Sequence, residues 1–191
     1  RNVKIDLNNL LTIDKENRNL IQNKELLEQE KKIKFIKKEK KILKSKIPIV
    51  LKISPDILDN QINEIGKILL NYDIEAIIIS NTTDSNRKKL INISKHEKGG
   101  LSGKPLESRS NQLINKFYNL LKGNIKIIGV GGVDSGKSAY DKFLAGANYI
   151  QLYTGMVYQG PNIVNKIKNE LKDILIKNGA KTFTDIIGKK Y

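Results

Sequence analysis

The sequence predicts an α/β protein built around a parallel β-sheet, and two observations support this class. Four short runs of apolar, mostly β-branched residues are flanked by Gly, Pro or Asp, and a helix-periodic segment follows each run. The runs are almost continuously apolar, which is typical of parallel strands that are buried on both faces. The order of strand and helix, repeated four times, indicates parallel strands joined by right-handed crossovers.

The elements are predicted as follows. The strands cover residues 47–53, 76–80, 125–130 and 149–153, and the helices cover residues 56–70, 108–121, 135–145 and 162–176. Three helices have apolar residues at helix spacing, as expected for one buried face. These are Ile57, Leu58, Ile62, Ile65 and Leu69, then Leu113, Ile114, Phe117, Leu120 and Leu121, and finally Ile163, Val164, Ile167, Leu171, Ile174 and Leu175. The remaining helix, 135–145, is short, and Gly146 closes it.

A Lys-rich helix is predicted ahead of the first strand, over residues 24–44. Its apolar residues on one side are Leu26, Leu27, Ile33, Ile36 and Leu43. The formal net charge of the chain is +15, and residues 31–46 alone contain nine Lys and one Glu. Because over half of the charge lies in this one segment and Arg is scarce, we interpret the lysines as a solvated helix face. No nucleic-acid partner is expected.

The composition argues against several kinds of site. The chain has no Cys, which excludes a disulfide, a thiolate nucleophile and a Cys-based metal site. The single His, His96, lies between charged residues, so no metal centre is predicted. No stretch reaches the roughly 18 apolar residues of a membrane span, so any membrane association must come from a surface patch or another part of the full protein. Because the chain begins at Arg1 and not at Met, we expect a processed form or a fragment.

Polar or glycine-rich groups follow all four predicted strands. They are residues 52–56, 80–83, 129–136 and 153–155, and a further glycine loop covers residues 99–106. In parallel α/β folds, ligands bind at the C-terminal ends of the strands. The candidate ligand site is therefore predicted at this end of the sheet.

A phosphate site is predicted after the third and fourth strands. Gly131 and Gly132 allow the backbone to approach an anion closely, with N–H groups directed at it. Asp134 and Ser135 then begin a helix, whose N-terminus favours negative charge. Phosphate sites formed by the loops after the last two strands recur in β/α barrels, and residues 153–155 would supply the second loop.

Two other groups have both a binding and a structural interpretation. Lys52 lies at the end of an otherwise apolar strand. In the structural interpretation, its aliphatic stem packs against the protein while its amine reaches water. In the functional interpretation, its amine is a fixed cation beside a ligand on which negative charge develops. Asn81 and Thr82 suit an imide or amide ligand, or simply end the strand. Four βα units do not close an eight-stranded barrel, so a small doubly wound sheet stays open as an alternative.

Six motifs, taken together, resemble those of quinone-linked dihydroorotate dehydrogenases. In order they are Lys-Ile-Ser-Pro-Asp (52–56), Ser-Asn-Thr-Thr (80–83), Gly-Gly-Leu-Ser-Gly-Lys-Pro-Leu (99–106), Ile-Ile-Gly-Val-Gly-Gly-Val-Asp-Ser-Gly (127–136), Ala-Gly-Ala (145–147) and Gln-Leu-Tyr-Thr-Gly (151–155). The resemblance covers residues 47–191. Arg1-Asn2 also resembles the end of the loop that carries the family's catalytic base, whereas the Lys-rich segment around residues 28–46 departs from the usual spacing.

The resemblance implies a single domain, the C-terminal part (about four βα units) of a TIM-type (β/α)8 barrel, with a Lys-rich helical insert around residues 24–46. It implies FMN as the cofactor and substrate contacts from Asn81 and Thr82. The implied FMN contacts are Lys52, Ser80, Ser102, Gly103, Gly131, Gly132, Tyr153 and Thr154. Lys52 would lie near the pyrimidine part of the flavin ring, and Tyr153 would also line the quinone route.

The implied reaction is the oxidation of (S)-dihydroorotate to orotate in de novo pyrimidine biosynthesis, with quinone as the electron acceptor. A base removes a proton from C5 while a hydride leaves C6 for the flavin. The base in this class is a Ser expected upstream of Arg1, so no catalytic base is assigned within this chain, and Lys52 has a supporting role. Peripheral association with a bacterial inner membrane is expected through a part outside this chain, with the mitochondrial inner membrane as the alternative.

Two other functions remain open from the sequence. One is an FMN barrel that acts on dihydropyrimidines or on dihydrouridine in tRNA. The other is a non-catalytic half-barrel that binds phosphate compounds or RNA. Substrate tests distinguish the first, and salt-dependent RNA binding through residues 31–46 distinguishes the second.

Overall fold

The computed structural model describes residues 7–72, 74–85, 87, 90–91 and 93–189. The chain forms two compact units, Arg1–Ile47 and Pro48–Tyr191. The first unit contains one long helix, α1 (Leu7–Ile42), which begins well before the predicted residue 24. Ile33 is buried, whereas Leu27, Ile36 and Leu43 are exposed, so the predicted apolar side of this helix is not continuously buried.

The second unit contains the predicted four-stranded sheet. Its strands are β1 (Val50–Ile53), β2 (Ala76–Ile79), β3 (Lys126–Val130) and β4 (Tyr149–Gln151), all parallel and in the order β1-β2-β3-β4. The four predicted strands are thus confirmed. β1 begins three residues later than predicted, after Pro48, whose ring nitrogen has no hydrogen to donate to a sheet.

Helices follow the strands as predicted, with one addition. They are α2 (Asp59–Asn71), α3 (Glu107–Leu121), α4 (Gly136–Ala145), α5 (Thr154–Gln159) and α6 (Ile163–Lys177). α2 begins at residue 59 and not 56, where the Gln61 side chain accepts a hydrogen bond of 3.0 Å from the Leu58 N–H. α5 was not predicted, because its six residues include a Gly and show no helical periodicity.

The strand order distinguishes a barrel from a doubly wound sheet. Each strand lies beside its predecessor and the order never reverses, whereas a doubly wound sheet reverses direction in its middle. Right-handed crossovers in a constant direction put all the helices on one face. The doubly wound alternative is therefore wrong, and the sheet has the topology of one sector of a β/α barrel.

The two faces of the sheet differ in burial. Ile53, Ile77, Ile79 and Ile127 face the helices and are almost completely buried. The opposite face, which we call the open face, includes the row in which Lys52, Ile78, Ile128 and Tyr149 are register partners. Tyr149 is 57% exposed there. The core of this unit therefore lies between the sheet and its helices.

Candidate active site

The loop after β2 leaves two side chains free for a ligand. Ser80 is buried, and its N–H donates to the Val130 carbonyl at 3.3 Å. The N–H of Asn81 donates to the Ile53 carbonyl at 2.8 Å, which ties this loop to β1. The side chains of Asn81 and Thr82 are exposed and form no hydrogen bond within the described ranges. Their polar groups are available for an imide or amide ligand, and the backbone alone ends the strand.

The Gly-Gly loop, which we define as residues 131–135, follows β3 and has a tightly constrained path. Gly131 and Gly132 adopt φ values of +109° and +76°, which favour glycine. The N–H groups of Asp134 and Ser135 both donate to Ser138 Oγ at 3.0 Å. None of the three earlier residues in this loop, Gly131, Gly132 and Val133, donates its N–H to another group in the part of the chain described. Gly132 and Val133 also line the cavity described below, so their N–H groups are available to an anion there.

The N-terminus of α4 is capped by the protein itself. Ser135 is its N-cap, so the helix begins one residue later than predicted, and the Ser135 side chain accepts from the Ser138 N–H. The Gly136 N–H donates to Glu170 Oε2 at 2.6 Å. A carboxylate of the protein therefore already occupies part of the positive end of this helix, and an anion in the Gly-Gly loop must rely more on Gly132 and Val133.

A cavity of about 510 Å³ connects the predicted phosphate loops. Its lining includes Ser102, Gly103, Gly132 and Thr154, four of the eight residues predicted to hold FMN. The Thr154 hydroxyl donates to that of Ser102 at 2.9 Å, so the glycine loop at 99–106 and the start of α5 form one wall. The volume lies within the range of roughly 300–1,000 Å³ that is usual for small-molecule sites.

Lys104 also lines this cavity. It belongs to the motif at 99–106, but the sequence alone assigned it no role. Its Nζ lies 2.6 Å from Glu107 Oε2 and 3.3 Å from Asp134 Oδ1. The hydrogen bond to Glu107 raises the pKa of the Lys104 amine, which keeps it protonated at neutral pH. The sequence signal was a Lys directly after Gly103 in the glycine loop at 99–106.

The other predicted FMN residues lie around the same end of the sheet but do not line this cavity. Lys52 is exposed near the C-terminal end of β1 on the open face. Tyr153 is 77% exposed at the start of α5. Gly131 packs its Cα against Leu106, directly before α3, because a Cβ there would lie 3.1 Å from Leu106 Cβ. Arg1 and Asn2 lie outside the described residues.

Arg109, which sequence reasoning missed, holds the loop after β1. Its guanidinium donates to the carbonyls of Pro55 and Ile57 at 2.9 Å and 2.7 Å. Asp56 in this loop accepts from the Thr83 hydroxyl at 2.5 Å and from the Asp84 N–H at 3.1 Å. These contacts join residues 52–56 to residues 80–83, so two motifs distant in sequence form one rim.

A flavin mononucleotide is compatible with these residues. Two unused N–H groups provide for a phosphate, and Lys104 adds a protonated amine at the cavity, although this amine is paired with Glu107 and Asp134. Side chains on Gly131 and Gly132 would collide with Leu106 and Glu107, so the loop needs glycine to keep this path. Among the described residues no group of His, Cys, Asp and Glu is arranged to hold a metal ion. No helix within the same ranges is both long and apolar enough to cross a membrane.

Comparisons with known proteins show the family to which the chain is similar. A model of the family described as dihydroorotate dehydrogenase matches residues 13–175. The mitochondrial dihydroorotate dehydrogenase (quinone) of Mus musculus is 43% identical over 140 residues, which are 73% of this chain and 35% of that protein. The dihydroorotate dehydrogenase (quinone) of Rhodospirillum rubrum is 38% identical over 141 residues, which are 74% of this chain and 38% of that protein.

A solved structure gives the same result. The ligand-free dihydroorotate dehydrogenase of Eimeria tenella superposes with a TM-score of 0.72 and 36% identity, over 74% of this chain and 39% of that one. The chain thus spans between about a third and two fifths of the length of these relatives. Its four βα units are part of a β/α barrel, as predicted. From the family match and these relatives, we conclude that the chain belongs to the dihydroorotate dehydrogenase family.

Proposed function

We propose that the protein containing this chain oxidises (S)-dihydroorotate to orotate, with FMN as cofactor and quinone as electron acceptor, in de novo pyrimidine biosynthesis. The observation that carries the proposal is the cavity in which Gly103, Gly132, Val133 and Thr154 meet, because the N–H groups of Gly132 and Val133, which have no partner among the described residues, suit the phosphate of a mononucleotide. Membership of the dihydroorotate dehydrogenase family supports the reaction.

The chain's own residues divide the binding work. Gly131, Gly132, Tyr153 and Thr154 hold the phosphate end of FMN, and Ser102 and Gly103 form the wall beside it. Ser80 holds the cofactor through its backbone carbonyl, since its N–H donates to the Val130 carbonyl and its hydroxyl donates to the Asn81 carbonyl at 3.1 Å. When bound, FMN accepts a hydride from the substrate and passes electrons to quinone.

The reacting part of the site is where dihydroorotate meets the flavin ring. Three side chains act there, those of Lys52, Asn81 and Thr82. The exposed amine of Lys52 supplies a positive charge where negative charge develops on the flavin ring. The amide of Asn81 and the hydroxyl of Thr82 both donate and accept, which matches the alternating N–H and C=O groups of an imide ring. These side chains fix the orientation of dihydroorotate.

The catalytic base belongs to a Ser outside this chain. Ser54, Ser80 and Ser102 are unsuitable because each already has a structural hydrogen bond. Ser54 Oγ accepts from the Asp56 N–H at 3.1 Å, Ser80 is buried, and Ser102 accepts from Thr154. Within the described ranges, no general base that would activate one of these hydroxyls is paired with it.

An exposed apolar surface on α5 supports access for quinone. Tyr153, Val157 and Tyr158 are all more than half exposed, and Met156 lies beside them. We infer that this surface lines the quinone route and that another part of the protein provides the peripheral contact with a bacterial or mitochondrial inner membrane. An apolar acceptor requires such a surface, because charged groups would oppose its approach.

The test is to purify the complete protein and measure its flavin content and its oxidation of dihydroorotate with a soluble quinone. We expect bound FMN and orotate formation that depends on the quinone. Activity on dihydropyrimidines or on dihydrouridine in tRNA, without activity on dihydroorotate, would support another FMN barrel instead. Absence of FMN together with salt-dependent RNA binding would support a non-catalytic binding protein.

A further inference from the structure

Lys142 on α4 is a fully buried cationic residue to which the proposed reaction assigns no role. Its side chain is 0% exposed. Its amine donates to two neutral partners on α3, Ser110 Oγ at 3.1 Å and Asn111 Oδ1 at 2.9 Å. Burying a lysine without a direct carboxylate partner is costly, so its position between the helices and the sheet requires an explanation.

A glycine in β3 makes room for this side chain. A Cβ built on Gly129 would lie 3.1 Å from Lys142 Cδ and 3.0 Å from Ile114 Cδ1, both tighter than an ordinary contact. The stem of Lys142 thus passes over the backbone of β3 where the strand has no side chain. The backbone of β3 at Gly129 and the stem of Lys142 therefore pack directly against each other.

Ser110 connects the amine to the start of the ligand loops. Its hydroxyl donates to the Val130 carbonyl at 2.6 Å and lies 3.3 Å from the Ile79 carbonyl. Val130 ends β3 directly before the Gly-Gly loop, and Ile79 ends β2 directly before Ser80. Two hydrogen bonds therefore separate the Lys142 amine from the residue at which the predicted phosphate loop begins.

The charge state of Lys142 is sensitive to its surroundings. Burial lowers the pKa of its amine to about 7, so protonated and neutral forms coexist near neutral pH. Glu107 on α3 and Asp141 on α4 favour the charged form, and Lys104 opposes it. A dianion held near the Gly-Gly loop would raise the pKa of this amine and so favour its charged form.

We propose that Lys142 is a positioning residue for the Gly-Gly loop, acting through Ser110, and that it takes up a proton from solvent when the phosphate of FMN binds there. The inference rests on the proposed function, since it requires FMN in the cavity. At an effective dielectric constant of about 20, a dianion raises the pKa of a nearby buried amine by about one unit or more. Because linkage is reciprocal, protonation of Lys142 also strengthens FMN binding.

The test is calorimetric titration of FMN into the complete protein, stripped of cofactor, in two buffers with different ionisation enthalpies. At about pH 8 the phosphate of FMN is already a dianion, so any proton uptake reports on the protein. We expect the wild type to take up on the order of half a proton per FMN. Lys142→Met and Lys142→Gln should each take up almost none, and the Gln variant retains a neutral donor for Ser110.

The control is Lys168→Met, which removes an exposed lysine on α6 and should retain the wild-type uptake. Between about pH 7 and pH 9, the Kd for FMN should rise several-fold in the wild type and stay flat in the two Lys142 variants. The role of Lys142 would be overturned if FMN binds with the same proton uptake in the wild type and the variants, or with no uptake in the wild type. Either result would leave the proposed function intact. Failure of the wild type to bind FMN would overturn the proposed function as well.

Discussion

Gly132 packs its backbone directly on Glu107, the first residue of α3. A Cβ on Gly132 would overlap the Cβ of Glu107 and would lie 2.9 Å from its Cα and 3.1 Å from its backbone N. The φ of +76° at Gly132 adds a second constraint. The path of the predicted phosphate loop is thus fixed both by backbone conformation and by the lack of a side chain.

Gly132→Ala should therefore destabilise the protein and weaken FMN binding more than a change at a glycine with free space. Gly123 is the matched control, because it has a φ of +83° and no atom within 4 Å of a Cβ built on it. We expect Gly123→Ala to cost about 1 kcal/mol of unfolding free energy and Gly132→Ala about 1–3 kcal/mol more. Urea unfolding and FMN titration measure both effects, and equal losses at the two sites would contradict the packing argument.

Lys52→Ala should slow flavin reduction far more than it weakens dihydroorotate binding. Its charge matters where negative charge develops, so we expect a loss of roughly 10²-fold or more in the reduction rate. Rapid-mixing kinetics under anaerobic conditions separate the rate from the substrate Kd. Lys126→Ala is the control, because Lys126 lies in the register row of Val50 on the same open face, toward the other end of the strands. Normal reduction kinetics in Lys52→Ala would refute the role of its amine.

The stability of the protein should depend on pH through Lys142. Burial lowers the pKa of this amine from 10.5 to about 7, so between these values the unfolded chain binds one more proton than the folded one. The free energy of unfolding that depends on this group is therefore greatest above pH 10.5 and decreases as the pH falls to about 7. Below about pH 7 it changes little, because the amine is then protonated in both the folded and the unfolded states.

Lys142→Met removes this dependence. The unfolding free energy of the wild type, minus that of Lys142→Met, should rise with pH between about 7 and 10 by roughly 1 kcal/mol per pH unit. Chemical unfolding at a series of pH values measures the difference. Parallel curves for the two proteins would mean that Lys142 stays charged in the folded state.

The isolated segment of residues 48–191 should associate with itself. The open face of its sheet exposes Val50 and Tyr149, and among the described residues no further strand pairs with the outer edge of β1 or of β4. Light scattering should show oligomers that are reduced by the double change Val50→Lys and Tyr149→Lys. The matched control is Ile176→Lys, which adds a charge at an exposed apolar residue of α6. A monodisperse monomer would contradict the expectation that these surfaces need a cover.

Much of the sheet was predictable because its signals are local. The runs IPIVLKI and IKIIGV are apolar and rich in β-branched residues, which indicates strands, and α3 shows its buried face in Leu113, Ile114 and Phe117. The expectation that the strands are buried on both faces is wrong for β1, in which only Ile53 is buried. Strand ends were less predictable, since β1 begins after Pro48. α5 lacked any periodic signal, and α1 extends through a polar segment whose helicity has no apolar stripe to reveal it.

The loops of the candidate site were predictable from the sequence, but the contacts that hold these loops in place were not. Glycine pairs and polar groups after strands indicated where a ligand would bind, because that edge is common to all parallel strands. The contacts of Arg109 with Pro55 and Ile57 span more than 50 positions and have no sequence pattern. Nor did the sequence reveal that Glu170 reaches the Gly136 N–H from α6.

The missing side chain at Gly129 has an evolutionary consequence. Because the stem of Lys142 occupies the space that a Cβ would need, positions 129 and 142 share a single volume. A larger residue in the strand requires a smaller one on the helix, and a shorter residue on the helix alone leaves a void under the sheet. We expect the two positions to vary together among relatives.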